Sequence, residues 1–387
     1  VTRLLPASIT ITVLASSSAP TPLYTTYERE WAFSALTTTV VFGVYALAVL
    51  SALLVLGRVS DHLGRRPVLL AALAVQVVAM VLLATAGGAA QLIIARVLQG
   101  LSTGAAVGAA GAMSLDLDQR RGALANSVAP PIGTAFGAVA SASVVQFLPW
   151  PTHLVYLVLL VLYVLQAVGL AAAPETLRRG ETARAQALVS MVPRVSLPRR
   201  LRAPFVVAAP VVFAVWALAG LYGSLAPAIV RDVLGWDSPF AGASTLFLQT
   251  VVAAITVVLL YSAPARTSVL IAVMALAAGM ALTLVALSTT SSPLFFFGTA
   301  IAGVGFGAGF QGGIRLVVPH AEPGERAGVL SSVYVAAYLG LGLPAVLAGV
   351  LTVYGGGLLT TTREYAVAVV VLAALAALAM LRRRLPT

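Results

Sequence analysis

Long apolar stretches alternate with short polar ones along this chain. Breaks at glycine, proline and charge divide it into twelve predicted spans, near residues 5–24, 35–56, 67–86, 90–113, 122–148, 152–173, 204–230, 239–261, 267–288, 293–318, 327–354 and 364–382. A helix needs about twenty apolar residues to cross roughly 30 Å of hydrocarbon, and runs of that length recur from one end to the other. The pattern predicts an all-α polytopic membrane protein.

Composition agrees. Sixty per cent of the residues are hydrophobic, above the roughly half of an average soluble domain. Cysteine is absent, so disulfides and thiolate metal sites are excluded. All 23 basic residues are arginine, which reads as the mark of a GC-rich genome. A net charge of +11 could suggest nucleic acid, but the arginines gather in connections and not on one soluble face. With a cytoplasmic N-terminus, the tails and even-numbered connections hold eighteen of them, against Arg29, Arg231 and Arg363 opposite. That bias predicts both termini inside. Arg96 and Arg315 are left within spans.

The chain also repeats itself. At an offset of 205 residues Pro22 matches Pro227, Trp31 matches Trp236, Phe42 matches Phe247 and Arg121 matches Arg326. Gly100, Gly104 and Gly108 match Gly305, Gly309 and Gly313. The first span could be read as a signal peptide after Arg3, but the repeat makes it the counterpart of span 7 and keeps it in the mature protein. Two like-oriented bundles of six helices follow, 1–173 and 204–387, a parallel repeat. Residues 174–203 between them carry seven arginines beside Glu175 and Glu181, predicting a cytoplasmic linker on an anionic leaflet.

Charge is densest between spans 2 and 3. The stretch GRVSDHLGRRP holds Arg58, Asp61, His62, Arg65 and Arg66 within eleven positions. Gly57 and Gly64 permit a tight connection, and Pro67 suits a first helical turn. An orientation signal would need the arginines but neither Asp61 nor the glycines. This loop resembles the signature G-x-x-x-D-x-x-G-R-R/K of the major facilitator superfamily, with Gly57, Asp61, Gly64, Arg65 and Arg66 in register. "RVLQG", Arg96 to Gly100, is similar to the family's R-x-x-Q-G. The resemblance implies a secondary transporter whose charge cluster is a latch between two bundles. Asp61 would face the start of span 11 near Ala327 and Gly328, and Arg65 would pair with Asp116 or Asp118.

An arginine at the bilayer centre costs about 2.5–3.5 kcal/mol, so Arg96 should face a cavity or a partner. Gln99, Gly100 and Thr103 share its face. Packing helices and touching substrate are both open for it, as interfacial snorkelling is for Arg315. Further candidates for the substrate path are Trp216 and Tyr222 in span 7, Gln249 in span 8, Gln311 in span 10, and Tyr334 and Tyr338 in span 11. Ser8, Thr12 and Ser16 make a polar stripe in span 1. APPIGT at 129–134 partly resembles the family's antiporter signature, through Pro130 and Gly133, and points to export.

No Asp or Glu falls in the interior of a predicted span, and Glu28, near the outer end of span 1, is the candidate proton site. The cargo predicted is therefore a neutral, amphiphilic or anionic small molecule, exported with protons as the candidate counter-ion; uptake of a small organic anion held by Arg96 is the alternative. An intramembrane enzyme is disfavoured, since His62, His153 and His320 all fall in loops. No P-loop is present to pump with ATP. Neither cofactor, metal nor nucleic acid is called for, and a monomer among membrane lipids is expected.

Overall fold

The computed structural model describes residues 4–177, 183–193, 195–322 and 325–382. These are helical, with no strand among the described residues. In chain order the helices are α1 Leu5–Ser18, α2 Tyr24–Trp31, α3 Ala35–Leu56, α4 Ser60–Leu63, α5 Arg65–Ala84, α6 Ala89–Leu117, α7 Gln119–Phe147 and α8 Pro151–Ala172. There follow α9 Ala183–Ser190, α10 Arg202–Ser224, α11 Ala226–Ala228, α12 Pro239–Leu259, α13 Ala265–Thr289, α14 Ser292–Val317, α15 Arg326–Tyr354 and α16 Gly357–Arg382. Eleven of them are long and apolar enough to cross a membrane.

The first predicted span is realised in pieces. α1 stops at Ser18, a 3₁₀ turn covers Thr21–Leu23, and α2 resumes at Tyr24. Pro20 and Pro22 remove two N–H donors, so the backbone keeps helical angles at Ala19 and Pro20 while the bonding ladder fails. Span 7 breaks at the equivalent place, where α10 ends at Ser224, Pro227 lies in α11, and a π-turn runs over Ile229–Val233. The last helix begins at Gly357, seven residues before the predicted 364, because its Gly- and Thr-rich start reads as loop. Arg363 and Glu364, expected at or before the edge of the last span, therefore lie within α16.

Contacts divide the chain into two compact units, Val1–Trp31 with Val44–Pro193, and Ala32–Gly43 with Arg194–Thr387. Of the described residues of the predicted linker, 174–177 and 183–193 fall in the first unit and 195–203 in the second; Arg178, Arg179, Glu181 and Arg194 lie outside the described residues.

In the first unit α1 is clasped from three sides. A Cβ at Gly133 would stand 2.4 Å from the Ile11 carbonyl, and one at Gly137 2.2 Å from that of Ala15; glycine alone lets α7 approach so closely. The antiporter-like Gly133 thus serves this packing. From α8, Tyr163 donates to Ser16 Oγ at 2.5 Å and Gln166 to Thr12 Oγ1 at 2.8 Å, so the Ser8–Thr12–Ser16 stripe meets protein partners. From α6, Gly100 and Gly104 press on α3.

The second unit reuses this plan. Tyr163 Oη donates to the Thr12 carbonyl and Tyr365 Oη to that of Ala217, carbonyls separated by the repeat offset. Gly303 and Gly307 press on α12 at Gln249 and Ala253, as Gly100 and Gly104 press on α3. Contact therefore pairs Gly100 with Gly303, whereas the sequence offset pairs it with Gly305, which faces Leu276 of α13. In α14 glycines fall at every other position from 303 to 309, so a match in sequence there does not fix the register. Ala32–Gly43, the start of α3, belongs to this unit: Thr39 stands against Gly349 and Phe42 against Gly223.

Candidate functional site

The sequence candidates fall into three groups. The first is the charge cluster. Gly64, at φ +97°, adopts the left-handed backbone that glycine favours and turns the chain from α4 into α5. Arg65, buried, follows directly. It donates to Asp61, to Ser60 Oγ at 2.9 Å and to Asp116 Oδ2 at 3.1 Å. Asp118, the other predicted partner, instead accepts from the Arg121 amide at 3.0 Å and caps α7. Gly57 sits close over the Leu53 carbonyl as α3 ends.

The linker completes this cluster. Glu175 accepts from the amides of Arg65 at 3.0 Å and Arg66 at 3.1 Å, and from those of Thr176 and Leu177 at 3.0 and 3.1 Å. It caps α5 from 110 positions away in sequence, placing an anion where the helix dipole favours one. Thr176 Oγ1 donates to Asp116, and Arg66 to the Ala171 carbonyl. α9 packs against α4. Glu175 was missed as a site residue; its only signal was an acid beyond the end of span 6 among arginines. In the second unit the linker grips α15 similarly, with Arg200 bridging Glu322 and Glu325 and the Ser196 amide donating to the Gly328 carbonyl at 3.4 Å.

The second group surrounds Arg96, which is 1% exposed. Its position follows from the proline break in α1. Pro20 cannot donate to the Ser16 carbonyl, so Gln99 Nε2 does, at 2.9 Å. The Ser17 carbonyl accepts from Arg96 Nη1 at 3.0 Å, and that of Ala19 from Ser141 Oγ at 2.5 Å. Arg96 Nη1 also donates to Gln99 Oε1 at 2.6 Å. Because Gly100 admits α3, the Tyr45 ring lies 4.0 Å from the guanidinium carbon, a cation–π contact. Arg96 Nε and Nη2 and the Tyr24 hydroxyl are buried without hydrogen-bond partners. Tyr24 and Tyr45 were missed, the first at the very end of span 1 and the second among the apolar residues of span 2. Glu28, half-buried, stands one helical turn beyond Tyr24 on α2.

The third group lies in the second unit. Trp216 of α10 packs on Tyr338 of α15 at 4.8 Å between ring centroids, and on Phe310 and Phe306 of α14 at 5.2 and 6.0 Å. Tyr334 lies 6.5 Å from Tyr338, and Trp216 Nε1 has no hydrogen-bond partner. Phe306 and Phe310 were missed among the apolar residues of span 10. Gln311 is half-buried with its Oε1 unpartnered, and Gln249 is fully buried on the α12 face against Gly303 with neither amide atom paired. Tyr222 is not part of this wall; it packs on Phe295 at 6.4 Å. Arg315 donates to the carbonyls of Leu260 at 3.1 Å, Ala263 at 3.3 Å and Tyr261, closing the C-terminus of α12. That is a helix cap and accounts for its place in the span.

The sequence model of the Major Facilitator Superfamily matches residues 7–263. Over 345 residues the chain is 27% identical to the multidrug resistance protein MdtL of Klebsiella pneumoniae (strain 342), covering 81% of this chain and 82% of that one. Among solved structures it is similar to a bacterial homologue of the human lysosomal transporter Spinster, with a TM-score of 0.76 at 14% identity over 97% of this chain and 96% of that one. The nucleoside transporter NupG superposes with a TM-score of 0.71 at 15% identity, over 99% and 100%.

Proposed function

Because the chain belongs to the major facilitator superfamily, a family of membrane transporters and not of enzymes, we propose that it is a secondary active transporter. It works by alternating access and exports a neutral, amphiphilic or anionic small molecule, with protons as the counter-ion and both termini cytoplasmic. The observation that carries the cargo class is the aromatic wall of Trp216, Phe306, Phe310 and Tyr338. Flat apolar surface with a few unsatisfied polar atoms, Trp216 Nε1 and Gln311 Oε1, suits a ligand that is largely apolar and sparsely polar. The likeness to a multidrug resistance protein supports export.

In this reading Arg96 and Gln99 meet the polar end of the cargo in the first unit. Trp216, Gln249, Gln311, Tyr334 and Tyr338 serve the second. The Asp61–Arg65–Asp116 cluster is a two-state latch, formed in one conformation and released in the other, and Glu28 is the proton site. Uptake of a small organic anion is the second reading, favoured by the buried Arg96.

The two are separated in proteoliposomes loaded with a fluorescent amphiphilic dye. Under an imposed pH gradient, export predicts uphill dye movement against the proton flux, abolished by an ionophore. Dye movement only in the direction of proton flow overturns antiport and favours uptake; no movement beyond empty liposomes, with dyes of either charge class, removes the transport assignment of this site.

A further inference from the structure

We propose that the unpartnered edge of the Arg96 guanidinium, Nε and Nη2, together with the Tyr24 hydroxyl, binds the carboxylate of an organic monoacid. This narrows the cargo class proposed above and rests on that reading of transport. The guanidinium presents its donors along distinct edges. Nη1 is consumed by the Ser17 carbonyl and Gln99 Oε1, which close the broken end of α1. That task leaves Nε and Nη2 idle, both buried and without a partner. The Tyr24 hydroxyl, on a residue 3% exposed, is equally unpartnered, and Tyr24 opens α2 just beyond the broken end of α1 whose Ser17 carbonyl Arg96 holds.

Charge decides what can fill this position. Each group Arg96 touches is neutral: a backbone carbonyl, an amide oxygen and the Tyr45 ring face. The cation is therefore unbalanced in a low-dielectric setting, which favours an anion over a neutral acceptor. Nε–H and Nη2–H point the same way, and a carboxylate takes both at once, one per oxygen. A carboxamide offers a single oxygen and an ammonium is repelled. A dianion would bring one charge more than Arg96 offsets. Tyr24 begins α2 directly beyond the Pro20–Pro22 break, and it supplies a third donor to the same oxygens.

The test is calorimetric titration of the full chain in nanodiscs with phenylbutyrate, decanoate and benzoate, each beside its primary amide and its amine. At least one acid is expected to bind about tenfold or more tightly than its amide, with the amine weaker again. Arg96→Lys keeps the charge but loses the paired edge, and should weaken the acid about tenfold. Tyr24→Phe should weaken it by roughly three- to tenfold, and it keeps the test alive should Arg96→Lys misfold. Amides binding as tightly as acids, no acid binding at all, or wild-type acid affinity in both variants overturns the proposal. Counterflow of the same compounds keeps the two readings apart: amides or amines carried without acids removes the carboxylate site and leaves transport standing, whereas failure of the dye assay above removes transport itself.

Discussion

The proline break in α1 makes a prediction about one hydrogen bond. Gln99 is fully buried, donates to the Ser16 carbonyl at 2.9 Å and accepts from Arg96 at 2.6 Å. Gln99→Leu preserves volume and removes both bonds, together with a longer one to Ser16 Oγ at 3.3 Å. The Ser16 carbonyl then has no substitute, because the residue that would donate to it along the helix is Pro20. A buried orphan costs about 1–3 kcal/mol, and a hydrogen bond to a charged group contributes about 1.5–3. Interhelical hydrogen bonds within bilayers run lower, about 0.6 on average and up to about 1.7 kcal/mol, so a total near 1–3 kcal/mol is expected.

Pro20→Ala restores an N–H four residues beyond Ser16, on backbone that already has helical angles. In that background Gln99→Leu should no longer orphan the Ser16 carbonyl. The double-mutant cycle should thus show a coupling of about 0.6–1.7 kcal/mol, read from SDS unfolding in mixed micelles followed by tryptophan fluorescence. Additivity to within about 0.3 kcal/mol would refute the claim that Gln99 replaces the donor proline removes.

Three further substitutions are informative. Glu175→Gln removes the charge that caps α5 and should cost about 1–2 kcal/mol and open the adjoining linker to trypsin; unchanged digestion would remove Glu175 as the anchor. Gly104→Ala places a Cβ 2.6 Å from that of Ala52 and 2.8 Å from the Val49 carbonyl, while at Gly108 the nearest atom is 3.8 Å away; the first should cost about 1–3 kcal/mol and the second almost nothing, and equal melting temperatures would contradict the packing argument. Arg315→Gln should destabilise by about 1–2 kcal/mol through loss of the α12 cap, with Arg315→Lys recovering part of it; full transport at reduced thermal stability is the signature of a cap, and lost binding at unchanged stability is not.

The helices were legible because burial in lipid writes itself into sequence as length and apolarity, and ten of the twelve spans emerge as single helices. The exceptions, spans 1 and 7, are where local chemistry overrides that pattern: prolines within an apolar run, Pro20 and Pro22 in the one and Pro227 in the other, end a helix without changing hydropathy. Asp116 could be named as a partner for Arg65 because charge is scarce and both residues sit at span ends. Glu175 could not, since nothing local marks an acid as the cap of a helix 110 positions earlier. Phe306, Phe310 and Tyr45 were hidden for a related reason. Aromatic residues in an apolar span carry no periodic mark that separates a wall facing another ring from one facing lipid.

The two units bear on why Arg96 is charged. In the contact register of the repeat, Ser17 corresponds to Tyr222, and Arg96, four residues before Gly100, corresponds to Thr299, four before Gly303. The second unit breaks its first helix at the same point, yet places the buried, neutral Tyr222 where the first has Ser17, and Thr299 where the first has Arg96. Thr299 is itself fully buried and donates to the Phe295 carbonyl at 2.9 Å. The position equivalent to Arg96 beside the second broken helix is thus neutral. If capping were the whole role of Arg96, a neutral solution would have served in the first unit too, without the cost of an arginine within a span. The charge is extra to the fold, and its idle edge and neutral surroundings are what a site for an anion needs.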